Sequence, residues 1–281
     1  MANVKWMLER DIFDEDLDPI IEAIKQQGFE YEMITYVPFE GGEYNQFSDD
    51  ECVLCYGSLN WVRQMTRQKP WVGIYCNLPN FECTKYYTYF GKYLLNSDYI
   101  MMSLAELNRR HQEVAKIIGC RDFFVRPSTG FKSFTGQVVN SAEWDKSTNW
   151  INDFGNPEEM VVVSSVKNLR SEFRFIVADK KIIAGSRYKL NGDVEPEKYD
   201  PSAHHPEALE LAQKVAAEEW EPERLYVIDI GEHWVNEEIE FKLIEINSFS
   251  SSGWYDCDPT LPVQEAARIA SEEWHDVYDQ Q

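Results

Sequence analysis

Apolar residues in the first hundred positions form short runs that alternate with stretches of helical spacing. The run VKWML is followed by apolar residues on one helical face, and this stretch ends at Gly28, where glycine is typical of a helix C-terminus. Three further apolar runs predict strands, with a helix around LNWVRQM between the last two: YEMITYV, CVLCYGS and WVGIYC. The alternation predicts a small, largely parallel α/β sheet. Its sequence contains neither G-x-G-x-x-G nor the P-loop motif.

Strand patterns dominate the remainder of the chain. ELNRRHQEVAKIIG predicts a linking helix, and FFVRP and QVV predict a strand pair around a glycine-bearing loop. VVVSSV predicts a buried strand, and SEFRFIVADKKIIAGSRY predicts a hairpin that turns at residues 178–180. Beyond a polar loop at 191–206, the pattern predicts a helix, two strands that flank a loop or turn at 232–240, and an acidic terminal helix.

Composition narrows the classes of function. The chain has 281 residues and a formal net charge of −22, which argues against nucleic-acid binding because phosphate neutralisation needs clustered cations. No apolar run approaches the roughly 18 residues of a membrane span, so we expect no membrane partner and a cytoplasmic protein. The six cysteines lack the spacing of a disulfide framework or a zinc site and are expected to be reduced core thiols.

Polar side chains interrupt two neighbouring strands near the C-terminus. Glu245 and Asn247, in LIEIN, lie two residues apart and therefore on one face of a strand, whereas Asp229 lies inside the apolar run YVIDIG. A solvent-facing edge strand would explain the first pair. A buried carboxylate, however, needs a cation or several hydrogen bonds, and two carboxylates with an amide are oxygen ligands suited to Mg²⁺.

Cations occur in matching contexts on other predicted strands and loops: Arg126, Lys132, Arg174 and Arg187. Each alone is more often a surface charge. Together with the acidic trio, they predict a site for a triphosphate and its metal.

These segments, in this order, resemble the ATP-grasp superfamily over residues 120–256. The carrying features are FVRP with the flap GFKSFTG, the strand VVVSSV, the hairpin, and the pair YVIDIG and LIEIN. The layout is most similar to a clade found in bacteriophages and bacteria, whose implied activity is amide ligation. The resemblance implies an α/β (α+β) fold in which a Rossmann-like pre-ATP-grasp domain, residues 1–105, precedes an ATP-grasp domain, residues 106–281.

The resemblance also implies roles for individual residues. Asp229, Glu245 and Asn247 would hold Mg²⁺. The remaining implied residues would bind ATP or act in phosphoryl transfer: Arg126, Lys132, Arg174 and Arg187 on the phosphates, Val163, Ser164, Ser165 and Val166 as the adenine hinge, and Glu172 on the ribose, where pairing with Arg174 is the alternative.

The sequence departs from the family pattern in the acceptor region. In place of the loop rich in Arg, Ser and Asn that some peptide ligases carry, it has the acidic segment NGDVEPEKYDPSAHHPE. His204, His205 and His233 are interpreted mainly as surface or packing residues, and Lys85 as part of an aromatic surface. Tyr188 and Tyr255 either line the acceptor pocket or fill the core.

The implied function is an ATP-dependent carboxylate–amine ligase that works through an acylphosphate, with ATP and Mg²⁺ as cofactors and unknown carboxylate and amine substrates. Two alternatives remain. One is an acidic interaction or inhibitor protein with a vestigial nucleotide site, and the other is a phosphotransferase on the same fold. A phage-encoded protein would act in the host cytoplasm, and the sequence allows a homo-oligomer.

Overall fold

Three β-sheets with flanking helices make up the protein. The computed structural model describes residues 2–38, 44–131, 133–145 and 156–278. Lys132 therefore lies outside the described residues. No helix in the described part of the chain combines the length and apolar composition that crossing a bilayer requires.

The N-terminal region forms the predicted parallel sheet. Its strands, in the order β2-β1-β3, are β1 (Val4–Glu9), β2 (Glu30–Ile34) and β3 (Cys52–Tyr56). Its helices are α1 (Asp14–Gln26) and α2 (Leu59–Gln68). The run WVGIYC, predicted as a full strand, makes only an isolated parallel pairing between Gly73 and Leu54.

A second sheet follows and is wholly antiparallel, in the order β4-β7-β5-β6. Its elements, with the helix that precedes it and the helix that covers it, are α3 (Cys83–Phe90), β4 (Ile100–Ser103), α4 (Leu104–Ile118), β5 (Asp122–Pro127), β6 (Gln137–Asn140) and β7 (Met160–Ser165). The predicted strand pair around the flap is confirmed as β5 and β6. Gly119 ends α4 at φ 82°, a conformation that favours glycine.

The third sheet is antiparallel and five-stranded, in the order β10-β9-β8-β11-β12. Its strands and the two helices that pack on it are β8 (Leu169–Ala178), β9 (Lys181–Leu190), β10 (Asp193–Lys198), α5 (Pro206–Ala216), β11 (Leu225–Val235), β12 (Glu238–Ser248) and α6 (Thr260–Tyr278). The predicted hairpin is confirmed as β8 and β9.

Two predictions for this sheet were wrong. The polar loop expected at 191–206 contains strand β10, and the loop or turn expected at 232–240 is the continuation of β11 and β12 around a two-residue turn at Asn236 and Glu237. Both turn residues have positive φ, as a tight hairpin turn requires. These segments lack an apolar face because they run at the solvated end or edge of the sheet, so alternation of apolar residues could not reveal them.

The two faces of the third sheet have different partners. One face packs on α5 through Phe173, Phe175 and Ile228. The other face, with Ile176 and Val227, joins a core that includes α1, α6 and the N-terminal sheet. The terminal helix therefore fastens the N-terminal sheet to the large antiparallel sheet. The domain boundary at residue 105 stays a prediction, although β4, just before it, pairs with β7.

All six cysteines are free. Five are buried, as predicted, and burial raises the pKa of Cys52 to about 12. The prediction is wrong for Cys120, which is exposed because it directly follows the end of α4 at the surface.

Gly73 offers a test of the N-terminal packing. A Cβ there would lie 2.3 Å from the backbone oxygen of Val53, so we expect Gly73→Ala to lower the free energy of unfolding by about 1–3 kcal/mol. Gly91 has helical φ and ψ and open space around it, so Gly91→Ala should be neutral or stabilising by less than about 1 kcal/mol. Urea denaturation of both variants measures the difference, and equal stabilities would contradict the close approach at Gly73.

Candidate active site

A cleft of about 510 Å³ lies between the second and third sheets. Phe124, Arg126 and Val138 line it from the second sheet, and Glu172 and Glu245 line it from the third. This volume falls within the usual range of small-molecule sites. The two predicted groups of residues, cations before residue 130 and acids after residue 225, thus meet across one cleft.

Arg174 and Asp229 form a buried ion pair at the base of the cleft. They are cross-strand neighbours on β8 and β11, and the guanidinium donates from Nε to Oδ1 at 2.8 Å and from Nη2 to Oδ2 at 2.7 Å. Nη1 donates to the carbonyl of Gly253 at 2.9 Å. Asp229 is fully buried, so this two-point contact supplies the cation that the sequence required.

Two tyrosine rings enclose the same guanidinium. Its centre lies 5.2 Å from the ring of Tyr188 and 4.9 Å from that of Tyr255. Burial lowers the pKa of Arg174, but the Asp229 carboxylate more than offsets this, and the net pKa is raised. Of the two interpretations of these tyrosines, lining the site is the one that the structure supports, because both rings border the cleft.

Arg126 and Glu245 form a second pair, which joins the two sheets. Nη2 of Arg126 lies 2.7 Å from Oε2 of Glu245, and only 10% and 15% of these side chains are exposed. Burial lowers the pKa of Arg126, and the Glu245 carboxylate reverses this to give a net pKa above the ordinary value. The edge-strand interpretation of Glu245 is therefore wrong, because its carboxylate faces a cleft and a buried cation.

Asn247 connects the two ion pairs. Its Nδ2 donates to Oδ2 of Asp229 and to Oε1 of Glu245, both at 3.1 Å. The three side chains predicted to hold Mg²⁺ are thus brought together, and they match the oxygen donors that this ion prefers. Because Arg174 engages both oxygens of Asp229, Glu245 and Asn247 are the donors that face the cleft. Elsewhere among the described residues, His, Cys, Asp and Glu form no group of three suited to a metal.

The predicted hinge lies along one wall of the cleft. Ser165 and Val166 line it, whereas Val163 packs into the core beneath α4 and the Ser164 hydroxyl donates to Asn96 at 3.0 Å. Glu172 also lines the cleft. Its carboxylate accepts from the Tyr188 hydroxyl at 2.5 Å, which answers the question of its partner in favour of Tyr188 rather than Arg174.

Arg187 is the predicted residue that the structure does not bring to the cleft. It lies opposite Phe173 on the α5 side of the sheet and pairs with Glu197 at 2.8 Å. A bulge beside Phe173 leaves Tyr188 in the position that faces Arg174. The role of Arg187 on the phosphates is therefore corrected, because alternation along β9 directs it to the other face.

The other residues weighed from sequence lie outside the cleft. His204 stacks on Tyr199, and His205 contacts the ring of Phe241. Burial lowers the pKa of His233, and Lys85 lies over the ring of Tyr89, in agreement with packing roles.

Sequence reasoning missed Lys167. Its Nζ lies 2.6 Å from Asp98, and the residue lines the cleft directly after the hinge strand. The signal was present, since a lysine follows VVVSSV, but its acidic partner is 69 residues away.

A smaller cavity of about 180 Å³ adjoins the cleft. Arg126, Arg174 and Tyr255 line both spaces. The smaller one is polar at this junction, with Ser248 to Gly253 from the loop after β12, and apolar where the N-terminal region and α3 approach. Its apolar lining comes from residues far apart in sequence: Phe13, Leu59, Leu78 and Phe81.

A nucleotide-sized cleft between two β-rich layers, with a cation from one layer set against carboxylates of the other, defines the class of ATP-grasp proteins. The sequence profile of an ATP-grasp domain, described as the second family of its clade, matches residues 104–264, and the chain belongs to this family. No curated protein sequence matches the chain.

Solved structures of similar fold are ligases and synthetases. D-cycloserine synthetase DcsG has a TM-score of 0.61 at 11% identity, with 96% of this chain and 99% of that chain covered. D-alanine–D-alanine ligase from Bacillus anthracis has a TM-score of 0.55 at 14% identity, with 97% and 100% covered. The ATP-grasp ligase PsnB, complexed with a phosphomimetic variant of its minimal precursor, Mg and ADP, has a TM-score of 0.54 at 12% identity, with 96% and 99% covered. At these identities the likeness shows the fold.

The buried pair at the base of the cleft predicts a large effect on stability. Asp229→Asn leaves Arg174 buried without a counter-charge, so we expect the free energy of unfolding to fall by about 3–5 kcal/mol. Glu197, the partner of Arg187, is 51% exposed, so Glu197→Gln should cost less than about 1 kcal/mol. Urea denaturation compares the two, and an Asp229→Asn variant as stable as Glu197→Gln would contradict the pairing.

Proposed function

We propose that this protein is an ATP-dependent carboxylate–amine ligase that works through an acylphosphate. The observation that carries the proposal is the junction of the two cavities, where Arg126, Arg174 and Tyr255 border both spaces. A triphosphate in the larger cavity and a carboxylate in the smaller one would meet beside the guanidinium of Arg126. Two anions can approach each other there because a fixed cation lies between them.

The larger cleft suits ATP in shape and chemistry. We assign the adenine to the apolar part between Phe124, Val138 and Val166, and the ribose hydroxyls to the carboxylate of Glu172. The phosphates would then extend towards Arg126 and Glu245. Lys132, in the predicted flap, stays a predicted phosphate contact.

The chemistry divides into two balanced steps. In the first, a carboxylate oxygen of the substrate attacks the γ-phosphorus of ATP, the bond to the bridging oxygen breaks, and ADP leaves. In the second, an amine nitrogen attacks the acyl carbon, the carbon–oxygen bond to phosphate breaks, and the amine proton passes to phosphate or solvent. Bound Mg²⁺, held by Glu245 and Asn247, would neutralise phosphate charge.

The residues of this chain supply position and charge rather than a nucleophile. Arg126 would neutralise the γ-phosphoryl group as it is transferred, and its pair with Glu245 fixes the guanidinium at the junction. Arg174 acts as a positioning residue, since its contacts with Asp229 and Gly253 join the metal-facing strands to the loop that lines the smaller cavity.

Structural neighbours support the reaction class. Their titles name a D-cycloserine synthetase, a D-alanine–D-alanine ligase complexed with ATP, and a ligase complexed with Mg and ADP. The substrates of this chain, its cytoplasmic location, a phage origin and a homo-oligomeric state stay predictions.

The direct test measures ADP and phosphate release from Mg·ATP across mixtures of carboxylates and amines, with mass spectrometry of the products. An amide product with equal amounts of ADP and phosphate supports the ligase. A phosphorylated hydroxyl compound without phosphate release would indicate a phosphotransferase instead. Release of neither ADP nor phosphate with any mixture would contradict the proposal.

Glu245→Gln tests the metal site. We expect turnover to fall at least about a hundredfold, and the rise in melting temperature caused by Mg·ATP to disappear, because a carboxylate ligand is lost. The apo variant should also lose about 1–3 kcal/mol of stability, since Arg126 keeps its charge without its partner.

The control is Glu240→Gln on the same strand, where the exposed carboxylate pairs with Lys242. It should retain both turnover and the response to Mg·ATP. If Mg·ATP raises the melting temperature of Glu245→Gln as much as that of the unmodified protein, Glu245 does not hold the metal.

A further inference from the structure

A groove of about 610 Å³ adjoins the smaller cavity on the side away from the ATP cleft. Leu78 and Gly130 line both spaces, so the groove and the smaller cavity border one another. Its walls are the outer face of α2, the segment Asn77 to Glu82, and the flap residues Thr129 to Phe131. A substrate too long for the 180 Å³ cavity would extend into this space.

Two arginines of α2 dominate the charge of the groove. Arg63 and Arg67 are one helical turn apart and both line it, and the sequence of α2, LNWVRQMTRQ, contains no acidic residue. Among the described residues, neither arginine forms an ion pair with a carboxylate, whereas most buried or half-buried cations elsewhere do. Like charges at this spacing destabilise a helix slightly, so the pair is unfavourable without an anion.

Arg63 is held in place by an aromatic contact. Its guanidinium lies 4.6 Å from the centre of the Phe131 ring, on the flap that roofs the groove. A cation stacked on a ring keeps its edge N–H groups available for an anion, and a guanidinium offers two of them in parallel. The contact also links α2 to the flap beside the ATP cleft.

Two carboxylates line the groove and could have neutralised the arginines, but neither pairs with them. Glu82 accepts from the hydroxyl of Thr84 at 3.3 Å. Glu223 accepts from the backbone N–H of Asn77 at 2.9 Å, and its other oxygen is enclosed without a partner among the described residues. Burial raises the pKa of Glu223 well above its ordinary value, which favours the neutral acid. The positive charge of the groove therefore persists in a chain of net charge −22.

We propose that the groove binds a second anionic group of the carboxylate substrate, through Arg63 and Arg67, so that the protein acts on substrates with two separated anions. The proposal rests on the proposed function for the position of the first carboxylate. The second anion is a carboxylate or a phosphate-like group, because a guanidinium pair recognises both. A strongly acidic protein repels dianions in general, so a local pair of unneutralised cations gives such a substrate a defined place to bind.

Binding measurements separate this proposal from the chemistry. The probes are unbranched dicarboxylates from succinate to suberate, their half-amides of equal length, and ω-phosphonocarboxylates of the same lengths. Melting curves and calorimetry in the presence of Mg²⁺ and a non-hydrolysable ATP analogue report binding without turnover. The variants are Arg63→Gln, Arg67→Gln and the double variant. The control is Lys116→Gln, which removes one exposed charge from α4, remote from both cavities.

We expect at least one dianion to bind about tenfold or more tightly than its half-amide, and this preference to disappear in the double variant. The affinity for the ATP analogue should be unchanged, and Lys116→Gln should keep the preference. The matching phosphonate series identifies which anion the groove prefers. Arg67→Gln alone, at an exposed position, shows whether the loss arises from charge rather than misfolding.

The proposal is overturned if no dianion is preferred over its half-amide, or if the preference survives in the double variant. Failure of the ligase gives a different result. A dianion that binds through Arg63 and Arg67 but never releases ADP contradicts the proposed function and supports the groove. ADP release with single-anion substrates at full efficiency supports the ligase and contradicts the groove.

Discussion

The cleft depends on one constraint, the need to neutralise charge that is buried in the middle of an antiparallel sheet. Asp229 is fully buried, and an unpaired carboxylate there would be very costly. Arg174 satisfies it through two parallel hydrogen bonds, and a further N–H group of the arginine engages the backbone at Gly253. One guanidinium thus fixes the pairing of two strands and the course of the loop that follows β12.

The same sheet face serves first as core and then as site. Ile176 and Val227 on this face pack against the N-terminal region and α6, and two residues further along their strands lie Arg174 and Asp229. A strand alternates its side chains, so all four share one face. The change from apolar to charged residues along it marks where the covering N-terminal core ends and the cleft begins. This arrangement places the site at the edge of a rigid core, where little reorganisation is needed on binding.

Prediction of the fold succeeded where apolar periodicity was strong. The parallel N-terminal sheet, the hairpin of β8 and β9, and helix α6 all have clear periods of 2 or 3.6, because each buries one face. Strand β10 and the outer ends of β11 and β12 are polar on both faces. Their hydrogen bonds to neighbouring strands hold them in place, and hydrogen bonding by the backbone leaves no mark in the sequence.

The sequence by itself determined which side chains carry the chemistry of the third sheet. Asp229 inside an apolar run needed a cation, and Glu245 and Asn247, two residues apart, had to share a face. Only the tertiary structure decided which cation serves which acid. Arg126 meets Glu245 across 119 positions of chain, whereas Arg187, one residue from the correct face, is directed away by a bulge. The smaller cavity and the arginine-lined groove also required the folded chain, because their walls come from segments that approach only when the N-terminal region packs against the large sheet.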